Sequence, residues 1–359
     1  IGGDQFALLV HKADLRGAEA AAARVLEATG RAHTLEGTQF TLTCSVGIAL
    51  YPADGTEGGT LLRHAETAMQ RAKQGGRAAY RFHQPTQDAD LRERMRLDHA
   101  MRQALAANRF RLAYQPQVDI ASGAIVGAEA LIRWRDPELG DVSPARFIPV
   151  AEESGFIIAI GDWVLGQAVR QAANWRSRGM PLPVAVNVSA LQFQQADFVD
   201  RVAEALRSAD LPGALLELEL TESILVRDAS DALQRLHSLA LLGVRLAIDD
   251  FGTGYSSLAY LKRFPIEKLK IDRSFIRGVP GDGSDAGIVH AIIQMARALN
   301  LKVIAEGVET EAQRQYLARE GCDLLQGFLF APALDPFSFE ERLNGQSANR
   351  RRLRVVGDD

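Results

Sequence analysis

The chain has 359 residues, a formal net charge of −4, and 47% hydrophobic and 24% charged residues. These are ordinary fractions for a globular protein, enough chain for one large domain plus a smaller module, and too acidic for a general binder of DNA or RNA polymers, which shows a basic face. Two cysteines, Cys44 and Cys322, make no disulfide framework, and no apolar run approaches the ~18 residues that span a bilayer, so a reducing, cytoplasmic setting without membrane contact in this chain is expected.

Ile1 lies inside what reads as a folded motif, so the chain reads as part of a longer protein whose upstream portion could carry a membrane tether. Residues 1–83 form an α+β module. Gly2-Gly3-Asp4-Gln5-Phe6 leads into an apolar strand at 7–10, a helix over 15–28, a strand over 40–50 and a turn at Tyr51-Pro52-Ala53-Asp54-Gly55. A helix over 60–73 follows, closed by Gly75-Gly76, a stop signal at a helix C-terminus, and a strand over 78–82 completes the module. Residues 84–92 are polar and turn-like, the expected linker. The pattern over 91–108 is helical and belongs to the second module, residues 93–345.

That module opens on a hairpin, 111–118 against 125–134, turned at Ser122-Gly123. Short apolar runs then alternate with stretches of helical period at 147–178, 193–208, 229–242, 287–299 and 311–319. Strand alternating with helix predicts parallel βα units. About eight strands over roughly 250 residues predict an α/β fold of the TIM-like (β/α)₈ barrel type, with the hairpin making the first strand antiparallel. Residues 346–359, with Arg350-Arg351-Arg352 and Arg354, read as a solvated, disordered basic tail.

Each apolar run of the barrel ends in an acid or an amide: Glu129, Asn187, Glu219 with Glu222, Asp249-Asp250, Lys270 and Asp272, Glu306 with Glu309, and Gln326. Barrel active sites form at the carboxyl ends of the strands. The adjacent carboxylates of Asp249 and Asp250, followed by Phe251-Gly252-Thr253-Gly254-Tyr255, are costly to bury together unless a cation lies between them. Oxygen-rich ligation of that kind suits hard divalent ions such as Mg²⁺ or Mn²⁺. A pair of solvated turn aspartates is the bland alternative, and the recurrence of polar strand ends outweighs it.

At Glu129-Ala130-Leu131-Ile132-Arg133 the chain resembles the EAL-domain phosphodiesterases, which hydrolyse cyclic di-GMP to linear pGpG. The likeness covers roughly 93–345. It includes Tyr114-Gln115-Pro116, Asn187-Val188-Ser189, Glu219-Leu220-Thr221-Glu222, the Asp249–Ser257 run, Lys270-Ile271-Asp272, Glu306-Gly307-Val308-Glu309 and Gln326-Gly327. Residues 1–83 resemble the latter half of a GGDEF domain, the family that makes cyclic di-GMP. Gln5 stands where active members carry glutamate, and a neutral amide is a poorer ligand, so cyclase activity is not expected.

The resemblance implies two divalent ions, Mg²⁺ or Mn²⁺, held by Glu129, Asn187, Glu219, Asp249, Asp250 and Glu306. It implies catalytic roles for Glu129, Asp249, Asp250, Lys270 and Glu306, the last as ligand or general base. Arg133 is implied as a phosphate contact, with Gln115, Asp272 and Gln326 toward the substrate. Glu222 would anchor the 250–257 loop, or else cap the helix that follows, and Glu309 would support the site from behind. Cyclic di-GMP is the implied partner, and a homodimer the implied assembly. A receptor or scaffold that binds without cutting is the alternative in another class, and a metal-dependent lyase or enolase-like barrel is a third. No expected acidic position is missing, which favours the enzyme.

Overall fold

The computed structural model describes residues 5–35, 38–76, 78–83, 85–222, 224, 229–252 and 261–355. Two compact units divide at Arg96 and Leu97. Gly2, Gly3 and Asp4 of the expected N-terminal motif lie outside the described residues.

In the first unit, helix Leu15–Gly30 begins at Asp14, whose carboxylate accepts the Gly17 amide at 2.8 Å, an N-cap. Strands β1 (Ala32–Leu35) and β2 (Thr38–Thr41) pair antiparallel. Strands β3 (Val46–Ile48) and β4 (Tyr80–Phe82) pair parallel, across the helix Gly58–Gln74. That helix lies so close to β3 that a Cβ on Gly47 would fall 1.9 Å from the Ala65 carbonyl oxygen. The single strand expected over 40–50 is therefore two, β2 and β3. The strand expected over 7–10 is not formed: Leu8 and Leu9 are exposed, and no strand among the described residues pairs with them. An apolar run becomes a strand only where a neighbour takes its backbone hydrogen bonds.

Helix Pro85–Ala106 runs through the segment expected as a linker. Proline is tolerated in a helix's first turn, so Pro85 starts the helix where a turn was anticipated. The tail expected to be disordered also differs: helix Pro336–Val355 carries the backbone through its four arginines. Asp335 caps that helix through the amides of Phe337 and Ser338, and arginine and leucine are good helix formers.

The second unit is a closed eight-stranded barrel. Its strands are β5 (Phe110–Asp119), β6 (Ile125–Asp136), β8 (Val184–Val188), β9 (Leu216–Thr221), β10 (Arg245–Phe251), β11 (Lys268–Ile271), β12 (Lys302–Ala305) and β13 (Leu324–Leu325). A short β7 (Gly140–Val142) extends β6 outside the closure. β6 and β8 to β13 are parallel in sequence, and β5 runs antiparallel to both of its neighbours, β6 and β13. The antiparallel first strand follows from the tight turn at Ser122-Gly123, since a parallel connection needs a long crossover.

Helices cover the outside. Ile157–Ser177 buries Ile160, Val164, Ala168, Ala172 and Trp175 along one stripe, the spacing of an amphipathic helix. The stretch expected as one helix over 147–178 is two, Pro144–Glu153 and Ile157–Ser177. Gly155 at φ 74° breaks it, a conformation that glycine adopts without cost. Outward strand residues such as Tyr114 pack on this layer, with its ring 4.9 Å from Trp175. Among the inward residues of the strands is a set of polar side chains that meet in the barrel's interior.

Candidate active site

Strand alternation aims the site. Asn187 on β8, Glu219 on β9, Asp249 on β10 and Lys270 on β11 each sit near the carboxyl end of a strand with the side chain inward, and Glu129 joins them from the middle of β6, which continues to Asp136. Glu306 and Gln326 follow the last residues of β12 and β13.

Lys270 is the centre of the cluster. It is fully buried, and its Nζ lies 2.7 Å from Glu219 Oε2, 2.7 Å from Glu306 Oε1, 3.1 Å from Asp249 Oδ1 and 3.8 Å from Glu129 Oε1. One ammonium faces four carboxylates. Burial works against its charge, but those carboxylates outweigh burial and hold its pKa well above the usual lysine value. The acids divide. Burial holds Glu219 well above the ordinary carboxylate range despite Lys270, helped by Glu129, Asp249 and Glu217. Glu306 is pushed up to about 8, chiefly by burial and in part by Asp249 and Glu129. Burial also acts on Glu129, yet Lys270 and hydrogen bonds from Gln326 and Asn187 bring it below the ordinary value. Environments that push neighbouring carboxyls apart are a mark of functional sites.

Consecutive residues of a strand point to opposite faces, so Asp249 and Asp250 should not both reach the interior. A break in the β10–β11 register between Ile248 and Phe251 resolves this. Asp250 takes φ 52° and Gly252 φ 99°, a left-handed backbone that aspartate tolerates and that is enriched at functional positions. Ligand atoms of Asp249, Asp250 and Glu306 consequently lie within 4.8 Å of one another, a group able to hold a metal ion. Burial, Asp249 and Asp272 together raise the pKa of Asp250.

The amides complete the interior wall. Asn187 Nδ2 donates to Glu129 Oε1 at 2.6 Å, and Gln326 Nε2 donates to Glu129 Oε2 at 2.5 Å. Gln326 also reaches Gln115 Oε1 at 3.1 Å, while Gln115 Nε2 donates to the Ala331 carbonyl at 3.2 Å. Gln326 Oε1 is buried with no hydrogen-bond partner among the described residues. Both carboxylate oxygens of Glu222 are buried and unpartnered in the same sense. The loop expected to bond Glu222 falls largely in residues 253–260, outside the described residues.

Two further expected residues make local contacts. Asp272 caps the short helix Arg273–Gly278, accepting from the Ser274 amide at 3.0 Å, which matches its lowered pKa against the opposing effect of burial. Glu309 is exposed, and its backbone amide donates to Gln313 Oε1 at 2.8 Å; no hydrogen bond among the described residues joins its carboxylate to the cluster. Arg133 is half-buried, with Nη1 donating to the Ile132 carbonyl at 2.9 Å.

A second polar layer was not anticipated. Lys268 Nζ lies 2.7 Å from Glu217 Oε1 and 3.0 Å from Gln117 Oε1, and all three residues are buried. Gln117 Nε2 makes a long 3.5 Å contact to Glu219 Oε1. Each of the three stands two positions from an anticipated residue, Gln115, Glu219 or Lys270, and two is the strand period. That spacing was the available signal.

The EAL domain family matches residues 98–333, and the family described as "Diguanylate cyclase, GGDEF domain" matches residues 1–79. The chain is 45% identical over 330 residues to the bifunctional diguanylate cyclase/cyclic di-GMP phosphodiesterase MucR of Pseudomonas aeruginosa, covering 92% of this chain and 48% of MucR. It is 39% identical over 339 residues to the cyclic di-GMP phosphodiesterase PdeR of Escherichia coli, covering 94% of this chain and 51% of PdeR. The chain thus spans about half the length of these curated relatives. The solved PaMucR phosphodiesterase, in complex with c-di-GMP, superposes with a TM-score of 0.66 at 48% identity, over 68% of this chain and 99% of that one. By the extent of the match and by the barrel that carries it, the chain belongs to the EAL domain family.

Proposed function

We propose that this chain hydrolyses cyclic di-GMP to linear pGpG, using divalent cations held at the carboxyl rim of the barrel. The observation that carries the reading is the convergence of Glu129, Glu219, Asp249 and Glu306 on Lys270, with Asp250 beside Asp249 and Glu306. The named phosphodiesterase relatives and the complexed solved relative support the substrate.

The donor set fits hard divalent ions. It is built from carboxylates with one amide, Asn187, which adds an oxygen without adding charge. The buried, unpartnered Gln326 Oε1 is a further acceptor at the edge of the set, fit to receive a hydrogen bond from an ion's water. The ligands would be Glu129, Asn187, Glu219, Asp249, Asp250 and Glu306. When bound, the ions neutralise the phosphoryl oxygens and acidify a water. Their identity as Mg²⁺ or Mn²⁺, the cytoplasmic setting and a homodimer belong to the same reading.

The chain's own groups supply the rest. Glu306, which burial pushes up to about 8 with no ion bound, would act as an ion's ligand or as the base that takes a proton from the attacking water, and either role needs it ionised. Lys270 keeps its proton and holds Glu219, Asp249 and Glu306 in place, leaving a fixed positive charge beside the phosphodiester. Water adds to phosphorus, one ribose oxygen leaves and takes a proton, and the ring opens to pGpG. Arg133 binds phosphate from the rim.

The test is product analysis. The purified chain with cyclic di-GMP and Mg²⁺ or Mn²⁺ should accumulate pGpG, and chelator should stop it. Tight binding without pGpG under every divalent ion would instead make the chain a receptor.

A further inference from the structure

Arg111 and Arg133 are a pair that the ligand set does not use. In the β5–β6 ladder Arg111 lies directly opposite Arg133, four positions beyond the Gln115–Glu129 pair on the same face. Directly opposed side chains have their Cβ atoms about 4.5–5.5 Å apart, and like charges placed so are unfavourable. Arg109, two residues earlier, has an acid at hand: its Nη1 lies 3.6 Å from Asp136 Oδ2. Among the described residues neither Arg111 nor Arg133 forms an ion pair. Burial and the neighbouring Arg111 lower the Arg133 pKa while Glu129 raises it, so the Arg133 guanidinium feels both the cluster and its twin. Two opposed guanidiniums at the open rim of an anion-cutting site lack a shared anion.

The substrate class supplies one. A cyclic dinucleotide carries two phosphodiesters, and only one can be at the carboxylate cluster when it is cut. The arginines sit four residues farther out along the strand than Glu129, about 13 Å at a strand's rise, and both side chains rise on the face that carries the site. A planar guanidinium grips a phosphate with two parallel hydrogen bonds.

We propose that Arg111 joins Arg133 in a two-arginine clamp on the phosphodiester that is not being cut, making Arg111 a determinant of specificity for a substrate with two phosphates. The inference rests on the cyclic di-GMP reading above. A phosphate is favoured over a guanine because a neutral base would leave the two positive charges facing each other uncompensated.

The experiment is steady-state kinetics on the full chain with cyclic di-GMP, comparing wild type with Arg111→Ala, Arg111→Gln and Arg111→Lys. Arg111 is exposed, so folding should be unaffected, and circular dichroism checks it. Loss of a charge-assisted hydrogen bond predicts KM raised about 10- to 100-fold in Arg111→Ala and Arg111→Gln, with kcat within about twofold, the signature of binding lost equally from ground and transition states. Arg111→Lys should recover part of the loss, because lysine keeps the charge without the fork. An unchanged KM in Arg111→Ala, a fall in kcat alone, or lysine behaving no better than alanine overturns the clamp. Should the wild-type chain bind cyclic di-GMP without cutting it, hydrolysis fails, and the same ratios read in Kd still decide the clamp. No binding at all overturns both.

Discussion

Replacing Lys270 with methionine removes the one ammonium that faces four carboxylates, at 2.7, 2.7, 3.1 and 3.8 Å. Taking one partner from a buried ion pair typically costs about 3–5 kcal/mol, because the other charge is left buried and unpaired. Here several acids share the loss, and they can discharge themselves by binding protons. The cost should therefore be largest in alkali, above the value of about 8 to which burial pushes Glu306. For a domain of this size each kcal/mol moves Tm by about 2–4 °C, so metal-free Lys270→Met should melt about 6–20 °C below wild type at pH 9 and much closer to it at pH 6. Divalent ions replace the missing positive charge, so Mg²⁺ or Mn²⁺ should restore Tm more in the variant than in wild type. Turnover should stay down about 100- to 1,000-fold even then, the usual cost of losing a charge aimed at the reacting group. Scanning calorimetry at both pH values, with and without metal, reads the effect. A variant that melts with wild type at pH 9 without metal refutes the claim that Lys270 holds these acids together.

Asn187→Ala removes the proposed oxygen ligand and the 2.6 Å hydrogen bond to Glu129, so kcat/KM with cyclic di-GMP should fall about 100-fold; near-full turnover counts against the ligand assignment. Glu306 holds its proton up to about 8 when folded, against 4.5 as a free side chain, so the folded chain binds the extra proton between those values. Its contribution to metal-free stability is therefore greatest at low pH and is lost as pH rises through about 8. Metal binding must expel that proton, so metal affinity should climb from pH 6 to 8 and level above; calorimetric titration at pH 7 in two buffers of different ionisation enthalpy should register proton release, and none released argues against the assignment. Glu222→Ala removes a buried carboxylate whose expected partner loop lies largely outside the described residues, so turnover or metal dependence should suffer while the barrel stays folded; an unchanged rate at every metal concentration leaves Glu222 without a role in the site.

The barrel and the gathering of its polar strand residues were legible in the sequence, because both rest on period. Apolar runs closed by an acid or amide located the strand ends, and strand ends of a parallel barrel converge by topology. The same period of two pointed to Gln117, Glu217 and Lys268, and it went unread because those residues sit one layer below the rim. Local order in the first unit was harder: the apolar run at 7–10 has no partner strand among the described residues, and strand formation depends on a neighbour far away in sequence. The first turns of helix Pro85–Ala106, up to residue 92, read as a linker because polar composition does not by itself break a helix.

What the sequence alone determined is the barrel and which polar residues its strands carry toward one rim. Only the folded chain decided how two neighbouring aspartates share one face, since that depends on a register break and a left-handed Asp250. It also decided that Lys270 stands among four acids and that Arg111 faces Arg133. Alternation along a strand is written in the sequence, whereas which strand lies beside which, and in what register, is set by closure of the whole sheet.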